Sequence, residues 1–87
     1  MAKYRVYIKR SASRELEAVA QKIDRQRLTA RIQALARAPR PSGCEKLAGY
    51  DDRYRVRQGD YRVVYAVDDA QRIVTIFKIG HRREVYR

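Results

Sequence analysis

The spacing of apolar positions changes twice along this chain, and those changes mark out its elements. Over residues 3–8, Lys3-Tyr4-Arg5-Val6-Tyr7-Ile8, apolar and polar positions alternate and put Tyr4, Val6 and Ile8 on one face of a half-buried strand. Tyr4 and Tyr7 therefore point to opposite sides, and at most one of them is buried. Ala12, Leu16, Val19, Ala20 and Ile23 then recur at helical spacing, with Ser11 or Ser13 available as the helix cap. Asp24 is placed to cap a second helix, whose apolar stripe is Leu28, Ile32, Leu35 and Ala36. Ala38-Pro39-Arg40-Pro41-Ser42-Gly43 stops it, because neither proline can donate to a helical ladder.

Beyond the loop the period returns to two. Arg53-Tyr54-Arg55-Val56-Arg57 reads as a strand, Gln58-Gly59-Asp60 as a turn, and residues 61–67 as the next strand. Asp68-Asp69-Ala70-Gln71 is a further turn, and a third apolar strand from Arg72 to Ile79 is ended by Gly80. The tail His81-Arg82-Arg83-Glu84-Val85-Tyr86-Arg87 follows directly. The order β-α-α-β-β-β predicts an α+β fold: an N-terminal strand, a helical hairpin, then an antiparallel β-meander with the helices on one face. At 87 residues, with no internal repeat, residues 1–87 read as a single domain.

Composition adds a partner class. Lys and Arg number 21 against 10 Asp and Glu, a net charge of +11, while 45% of residues are apolar. The apolar share suits a folded domain, and the charge suits a polyanion: nucleic acid, an acidic protein or an anionic membrane surface. No apolar run approaches the ~20 residues that span a bilayer. Charges at Lys3, Arg5, Lys9 and Arg10 do not suit a signal peptide, so a soluble cytoplasmic protein is expected. One cysteine, Cys44, and one histidine, His81, rule out an internal disulfide and a zinc site built from these two ligand types.

Position matters more than number. From residue 51 onward Asp51, Asp52, Asp60, Asp68 and Asp69 sit in turns or beside them, whereas Arg53, Arg55 and Arg57 share one face of their strand and Tyr54 and Val56 the other. Arg62, Val64 and Ala66 share a face of the next strand; Tyr61, Val63, Tyr65 and Val67 form the apolar one. With both apolar faces on the helices, Arg55, Arg57 and Arg62 converge on the open side of the sheet. Like charges gathered there are costly without an anion. Tyr54, Tyr61 and Tyr65 are read as core, and Arg14, Arg25, Arg27, Arg31 and Arg37 as a solvated basic helix surface.

The chemistry on offer is narrow. Asp51-Asp52 and Asp68-Asp69 are adjacent turn pairs whose carboxylates point apart, so no cluster for Mg²⁺ is visible and no metal or other cofactor is expected. There is no glycine-rich phosphate loop and no nucleophile elbow. Arginines, tyrosines and one histidine remain. RNA can be cut with these alone, since its 2′-hydroxyl is the nucleophile; the enzyme aligns it, stabilises the charged phosphorane-like transition state and moves two protons. Arginine suits the second task, histidine or tyrosine the third.

Lys46-Leu47-Ala48-Gly49-Tyr50, the run Tyr54 to Tyr65 and the run Ile79 to Tyr86 together resemble the RelE toxins of the RelE/ParE superfamily. The resemblance extends over essentially the whole chain. It implies a small mixed fold and a toxin that enters the ribosomal A site and cleaves mRNA there without a metal. It also implies a RelB-like antitoxin encoded by the adjacent gene. Residue by residue, Arg55 and Arg57 fall where the family carries basic, substrate-binding residues. Arg62 and Arg82 match its transition-state arginines, and Tyr86 its near-terminal tyrosine, at a spacing from Arg82 shorter than in some members. His81, a lysine in some members, is a candidate either for proton transfer or for phosphate contact. The superfamily also holds ParE-like toxins that inhibit DNA gyrase by binding alone; the full set Arg55, Arg57, Arg62, Arg82 and Tyr86 favours the nuclease. A non-toxic RNA-binding protein would explain the charge but not the tail motif.

Overall fold

β1 (Arg5–Ile8), α1 (Arg10–Glu17), α2 (Lys22–Ala34), β2 (Glu45–Lys46), β3 (Arg53–Gln58), β4 (Tyr61–Asp68) and β5 (Ile73–His81) follow in order in a computed structural model that describes residues 3–81. The strands form one sheet of 5, ordered β1-β5-β4-β3-β2. From β2 onward every neighbour is antiparallel, as the meander predicts. β1 departs from it, joining the far edge in parallel with Arg5 opposite Ile73 and Ile8 opposite Ile76. β2 was not predicted, for it is 2 charged residues long and too short to show a period.

Both helices cover one face of this sheet. Ala12, Val19, Leu28, Ile32 and Leu35 share a buried cluster with Val56, Val63, Tyr65, Val67, Val74, Ile76 and Ile79. Tyr65 is fully buried, with Tyr54 and Tyr61 packed at the margin of the core.

The helix starts differ from the sequence reading. α1 begins after Lys9, so Ser11 and Ser13 lie inside the helix and neither caps it. The reason is the β1–β5 pairing: the Lys9 N–H still donates to the Ile76 carbonyl at 3.0 Å, while Ser13 N–H already donates to the Lys9 carbonyl at 2.8 Å. The strand thus runs straight into the helix. α2 is preceded by Gln21, and Asp24 sits in its first turn, where the helix dipole favours an acid. Ala20 and Ile23 fall outside α1, and Ile23 is 50% exposed. Arg25 turns back across this junction, its Nη1 donating to the Val19 carbonyl at 2.6 Å and the Ala20 carbonyl at 3.2 Å. It satisfies two carbonyls of the linker between α1 and α2, so it is not part of a freely solvated basic surface. Arg14, Arg27 and Arg37 are exposed, as expected.

The β3–β4 hairpin turns through two residues, with Gln58 opposite Tyr61. Gly59 sits at φ +61°, the left-handed first position of a type II′ turn that glycine takes without steric cost. β5 runs through Gly80 to His81 rather than stopping there, and it carries a bulge. Tyr65 faces Ile76 but Val64 faces Lys78, so Phe77 is an extra residue. The bulge returns Ile79 to the core and leaves Phe77 and Lys78 on the opposite side. Where β1 ends, α1 supplies the partner for the edge of β5: Glu15 accepts the Ile79 N–H at 2.9 Å and the Lys78 ammonium at 3.3 Å.

The loop after α2 is held from two sides. The Tyr65 hydroxyl donates to the Pro39 carbonyl at 2.7 Å, and burial, reinforced by nearby Cys44, pushes its pKa well above the ordinary tyrosine value. Arg40 pairs with Asp69 at 2.6 Å and donates from Nε to the Tyr54 hydroxyl at 3.0 Å, while the Tyr4 hydroxyl donates to Asp69 at 2.6 Å. These hydrogen bonds, Arg40 foremost, hold the Asp69 carboxyl below the usual carboxylate range.

Candidate active site

Strand pairing places the arginines. Arg57 lies directly opposite Arg62, and Arg62 in turn opposite Gly80; Arg55 lies opposite Val64. Directly opposed residues of antiparallel strands share a face about 4.5–5.5 Å apart. The helices cover the face that carries Val56 and Val63, so Arg55, Arg57 and Arg62 stand together on the other face, as the alternation predicts. Opposed like charges destabilise a sheet, and the arrangement suits a bound anion.

These arginines are positioned rather than merely present. Arg62 is 8% exposed, a charged side chain held among its neighbours. Opposite it, Gly80 offers no side chain to compete for that space. Arg55 donates to Glu45 on β2 through Nη2 at 2.9 Å and Nε at 3.3 Å, a pairing set up because Glu45 is its partner in register. Arg57 is turned toward the hairpin by donation from Nε to the Gly59 carbonyl at 3.0 Å. The convergent charges are thus partly compensated: the exposed carboxylate of Glu45 stands where a phosphate oxygen would compete for Arg55.

His81 goes elsewhere. It faces Tyr61 in register and meets that ring edge-on, with centroids 5.8 Å apart. Both belong to the helix side of the sheet, where a cleft of about 330 Å³ lies between Glu15, Val19, Tyr61, Ile79 and His81. The structure therefore separates His81 from Arg55, Arg57 and Arg62 by the thickness of the sheet. Arg82 and Tyr86 lie outside the described residues. No group of three or more His, Cys, Asp or Glu able to hold a metal occurs among the described residues.

Sequence reasoning missed an aromatic extension of this face. The Arg53 guanidinium carbon lies 4.0 Å from the Phe77 ring centroid and 4.8 Å from that of Tyr50. Lys9 Nζ lies 4.8 Å from the same Phe77 ring. Period two already put Arg53 with Arg55 and Arg57; in β5 the buried Val74 and Ile76 leave Thr75 and Phe77 on that same open face, which the sequence reading did not assign.

The sequence matches the ParE toxin of the type II toxin–antitoxin system, parDE, over residues 6–86. The chain belongs to this family of type II toxin–antitoxin toxins. Within it, the chain is of the RelE type: it is 33% identical over 84 residues to Toxin RelE of Mycobacterium tuberculosis, covering 97% of this chain and 87% of that one. The RelE–RelB complex of the archaeon Pyrococcus horikoshii superposes with a TM-score of 0.81 at 32% identity, covering 94% of this chain and 97% of its counterpart. The isolated E. coli RelE toxin gives 0.76 at 28% identity, covering 95% and 90%.

Proposed function

We propose that this toxin is a ribosome-dependent mRNA endonuclease that cleaves in the A site and so stops translation. The single observation that carries this reading is buried Arg62 opposed to Arg57, with Arg55 beside them on the open face of the sheet. Cleavage proceeds by attack of the RNA 2′-hydroxyl on the adjacent phosphorus, with loss of the 5′-oxygen and no metal. Charge grows on the non-bridging oxygens in the transition state, and a preorganised arginine stabilises it most at that point. Arg62 takes this role, and Arg55 and Arg57 hold the flanking phosphates. By resemblance to RelE toxins, Arg82 shares the transition-state role and Tyr86 orients the nucleophile. Arginine stays protonated in proteins, so none of these guanidiniums is the general base.

The toxin acts in the cytoplasm, where ribosomes are, and is neutralised by an antitoxin encoded beside it. RelE–RelB complexes among its structural relatives support that pairing. An acidic or locally acidic antitoxin, partly disordered when free, suits a chain of net charge +11.

The family match to ParE toxins keeps a second reading in view, gyrase inhibition by binding alone. Pulse labelling after induction separates them. Translation should stop before replication, and cleaved mRNA should carry 5′-hydroxyls with 2′,3′-cyclic or 3′-phosphate ends. Replication stopping first, with intact mRNA, selects the gyrase reading.

A further inference from the structure

We infer that Tyr50, backed by Arg53 and Phe77, is a stacking site for a nucleobase of single-stranded RNA that flanks the cleavage site. This inference rests on the RNA-cleaving reading above. Tyr50 occupies the loop joining β2 to β3, and that loop is ordered by two backbone bonds: Leu47 N–H to the Arg53 carbonyl and Val67 N–H to the Asp52 carbonyl, both 2.9 Å. The loop holds out a large ring that is 52% exposed. Arg53 covers one side of it at 4.8 Å, leaving ring surface open to solvent.

Arg53 itself is held by rings more than by hydrogen bonds. Its Nε is buried with no hydrogen-bond partner, and its ion pair with Asp52 is long at 3.9 Å. Phe77, which the burial of its neighbour Ile76 turns to this open face, supports the guanidinium at 4.0 Å. A ring with a cation behind it, at the end of a basic strand, is the combination by which single-stranded nucleic acid is bound: charge follows the backbone and the ring takes a base. Arg53, Arg55 and Arg57 recur about every 6.8 Å along β3. Arg53 therefore stands about 13–14 Å from Arg57, which lies opposite Arg62, so the stacked base is a flanking one and not a base at the scissile bond. Recognition by stacking is tolerant of sequence, so the site contributes affinity and register more than a codon preference.

The test uses a short single-stranded RNA carrying 2-aminopurine, titrated with the intact chain; the absence of tryptophan keeps the signal clean. Wild type and Tyr50→Phe should bind and change the 2-aminopurine emission. Tyr50→Leu, at an exposed position, should keep the wild-type melting temperature and lose about five- to a hundredfold in affinity together with the emission change. If Tyr50→Leu binds as wild type does, with the usual salt dependence, the stacking site is wrong while the RNA reading stands. If instead that variant loses only its hold on the neighbouring gene's product, the rings serve a protein partner and the inference fails. If wild type does not bind the RNA at all, the inference falls, while the ribosome-dependent reading stands or falls separately on the pulse labelling and the mRNA end groups.

Discussion

Glu45 should act as a built-in competitor for RNA, and removing it should tighten binding. Its carboxylate accepts from Arg55 at 2.9 and 3.3 Å, yet the acid is 62% exposed and the Arg55 side chain only 16%. A phosphate approaching Arg55 must displace or share that carboxylate. Ion pairs this open to solvent contribute about 0.2–1 kcal/mol, so Glu45→Gln should raise affinity for single-stranded RNA by up to about fivefold at low salt. Freeing a cation should also steepen the dependence of log K on log salt by about 0.7. Fluorescence anisotropy between about 50 and 200 mM salt measures both quantities. The decisive control is a double-mutant cycle with Arg55→Ala. There Glu45→Gln should add almost nothing, because the coupling is local. Equal gains with and without Arg55 would show a general charge effect, and lower affinity in Glu45→Gln would refute the competition outright.

His81→Phe should leave ribosome-dependent cleavage near the wild-type rate, because the imidazole lies on the helix side of the sheet; a hundredfold loss in single-turnover rate would return it to the chemistry. Tyr65→Phe should lower stability by about 1–3 kcal/mol in urea melts, since it leaves the Pro39 carbonyl without its 2.7 Å donor; an unchanged midpoint would contradict this. Asp69→Asn should be destabilising at neutral pH and should lose its penalty in acid. The folded carboxyl titrates below its unfolded value of about 3.9, so its contribution is present above that pH and disappears as pH falls through the folded pKa. A difference in melting temperature between wild type and Asp69→Asn that persisted unchanged at about pH 2 would refute the assignment.

The sheet face was legible because alternation is a strict rule: once Val56 and Val63 are inside, Arg55, Arg57 and Arg62 must be outside. The helices were legible from Leu28, Ile32 and Leu35, which keep one stripe. What the pattern hid was decided by partners distant in sequence. The parallel seat of β1 depends on residues near 73–76, and that pairing moved the start of α1 ahead of both serines. The break between α1 and α2 lies within a continuous apolar stripe, and extended Gln21, bridged by Arg25 reaching back to Val19 and Ala20, marks it. The bulge at Phe77 reversed faces in mid-strand, so uninterrupted alternation from Ile76 could not return Ile79 to the core. His81 was a candidate because some members of the family carry a lysine there, but the register that sets it opposite Tyr61 turns it to the helix side.

The central claim is that Arg62 serves the transition state rather than attachment to the ribosome. Single-turnover cleavage of mRNA on saturating ribosomes, run beside a pelleting assay for binding, tests it most directly. Arg62→Ala should slow cleavage by about 10²- to 10³-fold, as expected on losing one preorganised donor, while pelleting stays close to wild type. Cleavage at the wild-type rate would contradict the account, and so would a loss of cutting that binding alone explains.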